Sequence, residues 1–423
     1  MQSTDLKQVL GEQQSEAQAL KSLWKEREIA ATLQGYLSSQ TIKVIMGIRR
    51  SGKSTLCLGA IPPGIKFSYV NFDDERLTSL TSDDLNLVYE TLLEIQPNAK
   101  FFIFDEIQNI AHWELFANRL HRKKLNLLIT GSNGSLLSRE LATHLTGRHL
   151  SLELMPLSFS EYLHFRSIPL SEGVTTEERA FLKNLVQGYF DQGGFPEIVL
   201  GEPQGPYLRE LFDKIISRDI VQRHRLRGSQ TLKEMALYLV QQSGSFASLG
   251  KLQKAFDFPS INTVRTYLSY LQEVFLFYEL QAYSSKIRER STRPRKYFIC
   301  DLGLWSALNT KPTIDLGMRL ETLVFLHLKR WGSPVYYLKE DRFDVDFCVT
   351  RDRKPEVLIQ VCYSLTGAST AEREIRSLIE AAHRYGLHEG TVVTWDQEST
   401  LKEDGIAISI VPVWKFLLSE IRR

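Results

Sequence analysis

Residues 47–54 read GIRRSGKS and match the phosphate-loop pattern G-x-x-x-x-G-K-[ST]. The preceding run, TIKVIM at residues 41–46, is apolar and rich in β-branched residues, which favours a buried strand. Residues 54–58 are typical of the first turns of a helix. The strand, loop and helix that this motif requires are therefore all predicted. The stretch indicates an α/β core that holds the phosphates of a nucleotide.

The residue types in this loop explain the chemistry. Gly47 and Gly52 allow a tight bend in which successive backbone N–H groups can point at phosphate oxygens, and the following helix adds its positive amino-terminal end. Lys53 can reach the β- and γ-phosphates, and the Ser54 hydroxyl can ligate Mg²⁺. The other predicted nucleotide-binding residues of the stretch are Arg49, Arg50, Ser51 and Thr55.

A second motif, KFFIFDEIQ at residues 100–108, places an acidic pair after a buried strand. Asp105 is predicted to hold Mg²⁺ through water, and Glu106 is predicted to orient or deprotonate the attacking water. The alternative is a strand that is followed by a solvated acidic turn. The spacing from the phosphate loop favours the first interpretation, and a glutamate at position 106 favours hydrolysis over passive nucleotide binding.

A third apolar run, LNLLIT at residues 125–130, is followed by Gly-Ser-Asn. Ser132 or Asn133 is predicted to lie between the ends of the first two strands. A polar side chain there can contact the γ-phosphate or the attacking water.

Composition narrows the class of protein. The chain has 423 residues, of which 43% are hydrophobic and 24% charged, with a formal net charge of +2. These values are ordinary for a globular protein of two or three domains and give no general attraction to nucleic acid. No apolar run approaches the roughly 18 residues of a membrane span. The four cysteines are far apart, which predicts neither a zinc site nor disulfides and favours a cytoplasmic location.

Alternation of apolar strands with helical segments predicts a parallel sheet with helices on both faces, and later patterns predict further domains. In the amino-terminal segment, Leu20, Leu23 and Trp24 are predicted to form one packing face. The predicted divisions are a helical segment at 1–40, a P-loop ATPase core at 41–165, a helical lid at 166–230, a winged helix with a basic loop at 231–296, and a nuclease-like α/β domain at 297–423.

The segment 232–283 follows the plan of a winged helix-turn-helix: helix, short helix, turn, helix and ribbon. Its third helix carries polar residues on one side, and a dense basic run, KIRERSTRPRK, follows at residues 286–296. Such a helix could lie in a DNA groove while the loop grips phosphates. The alternative is a protein-binding winged helix with a solvated loop. The predicted DNA contacts are Asn262, Thr263, Arg265, Thr266, Arg288, Arg290, Arg293 and Arg295.

Several motifs together resemble a known bacterial and archaeal family. It joins an AAA-type P-loop ATPase to a winged helix and to a carboxyl-terminal domain similar to the PD-(D/E)xK nucleases. The resemblance covers nearly the whole chain. It rests on GIRRSGKST, FDEIQ, ITGSN, LTGR, MPLSFSEYL, GGFPE, SRDI, KYFICDLGL and DVDF.

The resemblance implies two further sites. In AAA-type ATPases an arginine before the fifth strand projects into the neighbouring subunit's active site; Arg148 matches that position, with Arg139 as the alternative and a helix-capping surface arginine as the plainer interpretation. The nuclease-like fold implies a metal site at Glu321 and Asp346. On its third strand, Gln360 replaces a carboxylate and Cys362 replaces the lysine, which predicts no or very weak nuclease activity.

The sequence thus predicts an oligomeric, ATP-hydrolysing machine, with a hexameric ring as one form, that uses ATP and Mg²⁺ and acts on DNA as a translocase, helicase or branch-migration factor. The alternative is a nucleotide-dependent switch that binds a protein partner. An active nuclease is the third and least favoured interpretation, and no membrane partner is expected.

Overall fold

The computed structural model describes residues 3–134, 147–169, 175–226, 228–284, 286, 292–310 and 315–419. The chain divides into two compact units. The first is Met1–Pro156 with Glu273–Phe275, and the second is Leu157–Gln272 with Leu276–Arg423.

The described part of the first unit contains a five-stranded parallel sheet with the order β2-β3-β4-β1-β5. The strands are β1 (Ile42–Met46), β2 (Phe67–Asn71), β3 (Phe101–Asp105), β4 (Asn126–Gly131) and β5 (His149–Glu153). The strands predicted at 41–46, within 100–108 and at 125–130 are confirmed as β1, β3 and β4, because each is a mostly apolar run whose side chains are largely buried, whereas the edge strand β5 is half-buried. The order puts β4 between β1 and β3, so their carboxyl ends meet at one edge.

Helices cover both faces of this sheet, and apolar side chains fill the space between. They are α1 (Ser3–Ser22), α2 (Ala30–Leu37), α3 (Lys53–Ala60), α4 (Leu85–Ile95) and α5 (Trp113–Arg122). The predicted packing face at the end of the amino-terminal helix is confirmed for Trp24, which packs against the core, but is wrong for the two leucines. Leu20 and Leu23 are 42% and 76% exposed, and α1 instead buries Leu6, Leu10 and Ala17 against the core.

Two glutamines of α1 pair with the open edge of strand β2. The Gln14 side chain accepts from the Tyr69 N–H at 3.0 Å and donates to the Phe67 carbonyl at 3.1 Å. Gln13 does the same for the N–H and carbonyl of Asn71, at 2.9 and 3.2 Å. The helix therefore satisfies backbone groups that an edge strand would otherwise leave open to another chain.

The second unit begins with helices and then forms a mixed sheet. Its helices are α6 (Phe159–Phe165), α7 (Thr176–Gln192), α8 (Pro196–Val199), α9 (Gln204–Lys214) with a π-helical continuation (Ile215–Gln222), α10 (Gln230–Gln241), α11 (Leu249–Ala255), α12 (Ile261–Glu273), α13 (Leu302–Leu308), α14 (Leu316–Arg330), α15 (Ala368–Tyr385) and α16 (Val413–Leu418). Its strands are β6 (Phe246–Ala247), β7 (Phe277–Ala282), β8 (Arg295–Ile299), β9 (Val335–Lys339), β10 (Asp344–Arg351), β11 (Lys354–Val361), β12 (Glu389–Thr394), β13 (Ser399–Glu403) and β14 (Ile406–Pro412).

One sheet runs through the described part of this unit, in the order β13-β14-β12-β11-β10-β9-β7-β8-β6. Strands β6, β8 and β7 pair antiparallel beside helices α10–α12, and β7 pairs in parallel with β9 of the following segment. The domain division predicted between residues 296 and 297 falls inside β8, so the two segments share a sheet.

The motifs GGFPE and KYFICDLGL meet around a buried aspartate. Asp301 caps helix α13 by accepting from the Leu304 N–H at 3.1 Å, and it also accepts from the Gly194 N–H at 2.6 Å. A Cβ on Gly193 would lie 2.2 Å from the Asp301 carboxylate, and one on Gly303 would lie 2.1 Å from the Gln192 carbonyl oxygen. The glycines are therefore required by close backbone packing.

Within the described ranges, none of the helices combines the length and the apolar character that crossing a membrane would need.

Candidate nucleotide site

The phosphate loop links β1 to α3 through backbone conformations that need glycine. Gly47 has φ +152°, and a Cβ on it would lie 2.1 Å from the carbonyl oxygen of Leu154. Gly52, at the start of α3, has φ +94°. Arg50 between them also has a positive φ, of 67°, and its side chain is exposed. The loop is therefore held in a strained, compact turn, as a phosphate cradle requires.

Lys53 is the first residue of α3 and is 5% exposed. Its ammonium donates to the carbonyl oxygens of Gly47 and Ile48, both at 3.1 Å, and lies 3.7 Å from a carboxylate oxygen of Glu106. The Ser51 hydroxyl is buried in the same loop and lacks a hydrogen-bond partner among the residues that the structure describes. A buried ammonium and an unsatisfied hydroxyl at a helix amino terminus fit the oxygens of a phosphate.

Asp105 ends β3 and is buried among hydroxyl groups. Tyr69 donates to its Oδ2 at 2.7 Å, Thr130 donates to its Oδ1, and Ser54 also hydrogen-bonds to the carboxylate. Burial, followed by the negative charge of Glu106, raises the pKa of Asp105 above its ordinary value. A buried carboxylate that is costly to ionise without a cation, with a serine hydroxyl beside it, fits a hard ion such as Mg²⁺.

Glu106 follows in a left-handed conformation with φ 52°. Its Oε2 accepts from the Ser132 N–H at 3.2 Å and from the Ser132 hydroxyl at 3.0 Å, and the Gln108 side-chain amide also donates to it. Burial opposes ionisation, but the charges of Lys53 and Arg49 outweigh it and lower the pKa of Glu106. The group is therefore an ionised hydrogen-bond acceptor at neutral pH, as a base or a water-orienting residue requires.

The remaining predicted residues of the nucleotide site differ in their burial and in their contacts. Ser132 and Asn133 are both 1% exposed and follow β4, between the ends of β1 and β3. The guanidinium of Arg49 pairs with Asp73 at 3.2 Å. Thr55 is half-buried in the first turn of α3.

Three residues that position the acidic pair were not predicted from the sequence: Tyr69, Thr130 and Gln108. Gln108 was inside the quoted motif, two residues after Glu106, and offered a local signal. Tyr69 and Thr130 reach Asp105 only because β2 and β4 flank β3. That strand order was not part of the sequence prediction.

Arg148 lies at the opposite end of the sheet. Its carbonyl accepts from the N–H of Ile42, the first residue of β1, at 2.8 Å, and its side chain donates to Asn118 of α5 at 2.7 Å. Strand β1 separates it from the phosphate loop, and five residues span roughly 16 Å. Arg148 is exposed and is not part of the Lys53 cluster of its own chain. Arg139, the alternative, lies outside the described residues.

The predicted DNA contacts lie in the second unit. On α12, Asn262, Arg265 and Thr266 are exposed, and Thr263 is half-buried and donates its N–H to the Ser260 hydroxyl. In the basic loop, Arg293 donates to the Lys339 carbonyl, and Arg295 pairs with Glu279 at 2.7 Å. Arg288 and Arg290 lie outside the described residues.

The residues of the predicted degenerate nuclease site do come together. Glu321 on α14, Asp346 on β10 and Gln360 on β11 share one cluster, and the half-exposed Cys362 follows β11, where its thiol donates to the Ser364 carbonyl. A fourth member, Lys296 of β8, was not predicted to be there.

Comparison with known proteins identifies the first unit. The profile of an AAA domain matches residues 39–163, which contain the phosphate loop, the acidic pair and all five parallel strands. An uncharacterised protein of Methanocaldococcus jannaschii is 34% identical over 414 residues, which cover 93% of this chain and 92% of the relative. The chain belongs to this family of AAA-type ATPases. The prediction of an AAA-type P-loop ATPase is thereby confirmed.

The AAA-type ATPase is similar to other proteins as well. An uncharacterised protein of Haemophilus influenzae is 30% identical over 391 residues, covering 88% of this chain and 94% of the relative. Residues 183–316 match a domain of unknown function, DUF8612, so neither the winged helix nor the nuclease-like domain receives a name from this comparison.

Two solved structures share features of the fold. A Walker-type ATPase of Pyrococcus abyssi is 13% identical, with a TM-score of 0.42, and the match covers 67% of this chain and 95% of that one. The RuvB Holliday junction branch migration motor of Thermotoga maritima is 12% identical, with a TM-score of 0.31, over 65% of this chain and 92% of that one. Both scores are too low to support an inference about the activity of this chain.

Proposed function

We propose that this AAA-type ATPase hydrolyses ATP with Mg²⁺ and uses the energy to act on DNA as an oligomer. The observation that carries the proposal is the cluster of Lys53, Asp105, Glu106 and Ser132 at the carboxyl edge of the parallel sheet. A cation, two carboxylates and a glycine-bounded loop meet there, and each has the role that phosphoryl transfer to water needs.

Each residue has a separate task in this mechanism. Lys53 exchanges its bonds to the loop carbonyls for the phosphate oxygens of ATP. Ser54 and Asp105 supply oxygens for Mg²⁺, which when bound neutralises phosphate charge. Glu106 accepts a hydrogen bond from the attacking water and takes its proton. Because Glu106 is bonded to Ser132 and Gln108, it must exchange at least one of these bonds for the water.

The position of Arg148 supports an assembly in which each site is completed by a neighbour. The side chain is exposed and sits at the sheet edge opposite its own phosphate loop, so it can serve a nucleotide only on another subunit. An arginine that stabilises transition-state charge is worth about 10³–10⁵ in rate. A ring, for example of six subunits, is the closed arrangement that gives every site such an arginine.

The second unit supplies the proposed DNA contact. The sequence of elements α10, β6, α11, α12, β7 and β8, with the strand order β6-β8-β7, supports a winged helix-turn-helix. The outer face of α12 presents Asn262, Arg265, Thr266 and Ser269 to solvent. A polar helix face that is followed in the sequence by the basic run at residues 286–296 suits a DNA groove and its phosphates.

ATP turnover in the presence of single-stranded, duplex and branched DNA at two salt concentrations tests this proposal. Stimulation by DNA that falls as salt rises supports a DNA-acting machine, because phosphate contacts release counterions. The variant Lys53→Ala is the control for contaminating ATPases and should lose all turnover. Turnover that is indifferent to every DNA at both salt concentrations would overturn the DNA part of the proposal and leave the ATPase part intact.

A nucleotide-dependent switch with a protein partner is the second candidate. Two exposed apolar side chains favour it. Ile261 of α12 is 40% exposed, and Tyr238 of α10 is 43% exposed. Exposed apolar side chains suit a protein surface better than a phosphate backbone. The same assay separates the candidates, because a switch has slow turnover that does not respond to DNA.

A further inference from the structure

The acidic cluster of the second unit is filled by a lysine of the chain itself. The ammonium of Lys296 lies 2.7 Å from Oε1 of Glu321 and 3.7 Å from Oδ1 of Asp346. All three side chains are largely buried, with 8%, 14% and 18% exposure. We propose that Lys296 is a built-in cation that takes the place of a divalent metal between Glu321 and Asp346, and that this cluster therefore binds no metal. The proposal concerns a different site from the ATPase centre and does not depend on ATP turnover.

The oxygen atoms that a metal would need are already engaged by nitrogen donors. The second oxygen of Asp346 accepts from the Val361 N–H at 2.9 Å, and the side-chain oxygen of Gln360 accepts from the Asp346 N–H at 3.2 Å. The Gln360 amide nitrogen donates to Glu374, whose other oxygen pairs with Arg373. Mg²⁺ needs near-octahedral oxygen ligands, and this set does not offer them while the Lys296 ammonium occupies the space between Glu321 and Asp346.

The chemical types of the side chains also argue against a metal ion in this cluster. At no place in the described ranges do three or more His, Cys, Asp or Glu side chains form a group that could hold a metal ion. Gln360 is neutral, and Cys362 turns its thiol to the Ser364 carbonyl. The Lys296 ammonium cancels one carboxylate charge, and burial raises the pKa of both Glu321 and Asp346, which favours a proton on one of them and a neutral cluster without any ion from solution.

The charge state of the lysine agrees with this geometry. Burial opposes the charge on Lys296, but Glu321 and Asp346 outweigh it and raise its pKa. The lysine therefore keeps its proton and remains a cation in the buried cluster.

The cluster also joins three elements. Lys296 belongs to β8, which pairs with the strands beside α10–α12, whereas Glu321 lies on α14 and Asp346 on β10. A metal would tie only the helix and the strand that carry the carboxylates. The lysine adds β8, so the ion cluster fastens the winged-helix-like segment to the nuclease-like one.

The test compares Lys296→Met with Lys339→Met in nucleotide-free protein. Lys339 is the matched control because its ammonium also lies 5.1 Å from the Phe246 ring and also pairs with a carboxylate, yet it is 54% exposed. Lys296→Met should lower the Tm by roughly 10 °C in EDTA, because a buried charge pair is broken. Lys339→Met should change the Tm little, because exposed ion pairs contribute little.

Manganese binding, followed by the electron paramagnetic resonance of free Mn²⁺, decides the metal question. The wild-type protein and the Asp346→Asn variant should bind the same amount of Mn²⁺. Lys296→Met should gain a Mn²⁺ site that the double variant with Asp346→Asn loses, and Mn²⁺ should restore part of its Tm. A wild-type Mn²⁺ site that Asp346→Asn abolishes would overturn the proposal, and so would a Lys296→Met variant with unchanged Tm and no new site.

A further variant covers the case in which Lys296→Met does not fold. The triple variant Lys296→Met with Glu321→Gln and Asp346→Asn removes all three charges together, so it should fold without metal. If the triple variant fails to fold while Lys339→Met folds normally, charge balance is not what Lys296 provides and the proposal is wrong.

Discussion

The hydroxyl of Tyr69 donates a 2.7 Å hydrogen bond to Oδ2 of Asp105. Tyr69 lies in the middle of β2, and Asp105 is the last residue of the neighbouring strand β3. Thr130 of β4 donates to the other carboxylate oxygen from the opposite side. The proposed magnesium-holding carboxylate is therefore fixed from both flanking strands, and its orientation is set before any nucleotide binds.

Replacing Tyr69 with phenylalanine should weaken the use of Mg²⁺ while leaving the fold intact. A hydrogen bond to a charged group contributes about 1.5–3 kcal/mol, so we expect roughly 10- to 100-fold more Mg²⁺ to be needed for half-maximal ATP turnover. The measurement is a Mg²⁺ titration of ATPase activity at saturating ATP. Tyr89→Phe is the matched control, because Tyr89 is also buried in this unit but packs on Phe102. Equal Mg²⁺ requirements in both variants would show that Tyr69 does not position Asp105.

The proposed arginine finger predicts complementation between two inactive variants. Arg148→Ala should keep ATP binding but lose about 10³–10⁵ of the turnover rate, and Glu106→Gln should also bind ATP without hydrolysing it. Mixed assemblies of the two variants should regain part of the activity, because some interfaces then pair an intact Glu106 with an intact Arg148. The measurement is ATP turnover across mixing ratios, with Arg119→Ala as a variant that should stay active, because this half-buried arginine of α5 pairs with Asn86. Normal turnover by Arg148→Ala alone contradicts the assignment.

The ionisation of Glu106 predicts the acid limb of the pH profile. Its pKa is lowered from the ordinary 4.5 because the charges of Lys53 and Arg49 outweigh the effect of burial. A base with a lowered pKa stays ionised as pH falls, so turnover limited by Glu106 should not decline between pH 8 and pH 5. The decline should begin only below about 4.5, as protons reach the carboxylate. A rate profile at saturating ATP checks this, and a half-maximal point near pH 6 to 7 would exclude Glu106 as the base that sets the profile.

The glutamine pairing at the edge of β2 predicts an unusually costly surface-helix substitution. Gln14→Ala leaves the Tyr69 N–H and the Phe67 carbonyl without these partners, and each unsatisfied buried group costs about 1–3 kcal/mol. We expect the free energy of unfolding to fall by roughly 2–4 kcal/mol in urea denaturation. Gln8→Ala on the exposed face of the same helix removes only a contact with Glu12 and should cost little. Similar losses for both variants would exclude edge capping as the role of Gln14.

Most of the first unit could be predicted because the sequence signals for its strands and site residues lie within short stretches of the chain. Strands β1, β3 and β4 are mostly apolar runs, and functional residues stand at their ends, as Gly47 follows Met46 and Asp105 follows Phe104. Contacts that depend on strand order were not predictable in this way. Tyr69 reaches Asp105 from another strand, 36 positions earlier in the chain.

Other predictions failed where the local sequence pattern carried no signal for the element or contact that forms. Strand β13 was not predicted, because its residues are mostly exposed and polar and carry no alternating apolar signal. Lys296 ends the basic run that was predicted to grip DNA phosphates, yet Glu321 and Asp346, which lie 25 and 50 positions further along the chain, surround it in the fold. In α1, Leu20 and Leu23 suggested a packing face, but the buried stripe ends before them at Ala17.

The parallel pairing of β7 with β9 has a mechanical consequence. Gln281 and Ala282 are in register with Tyr336 and Tyr337, so one hydrogen-bonded sheet runs from the strands beside α12 to those that carry Asp346, with a register shift between Val345 and Cys348. A force applied to α12 is then opposed by the backbone hydrogen bonds between neighbouring strands, which are loaded together in shear. Truncation after α13 would leave the flank of β7 bare, so a shortened protein that lacks the last hundred or so residues should tend to self-associate through that flank.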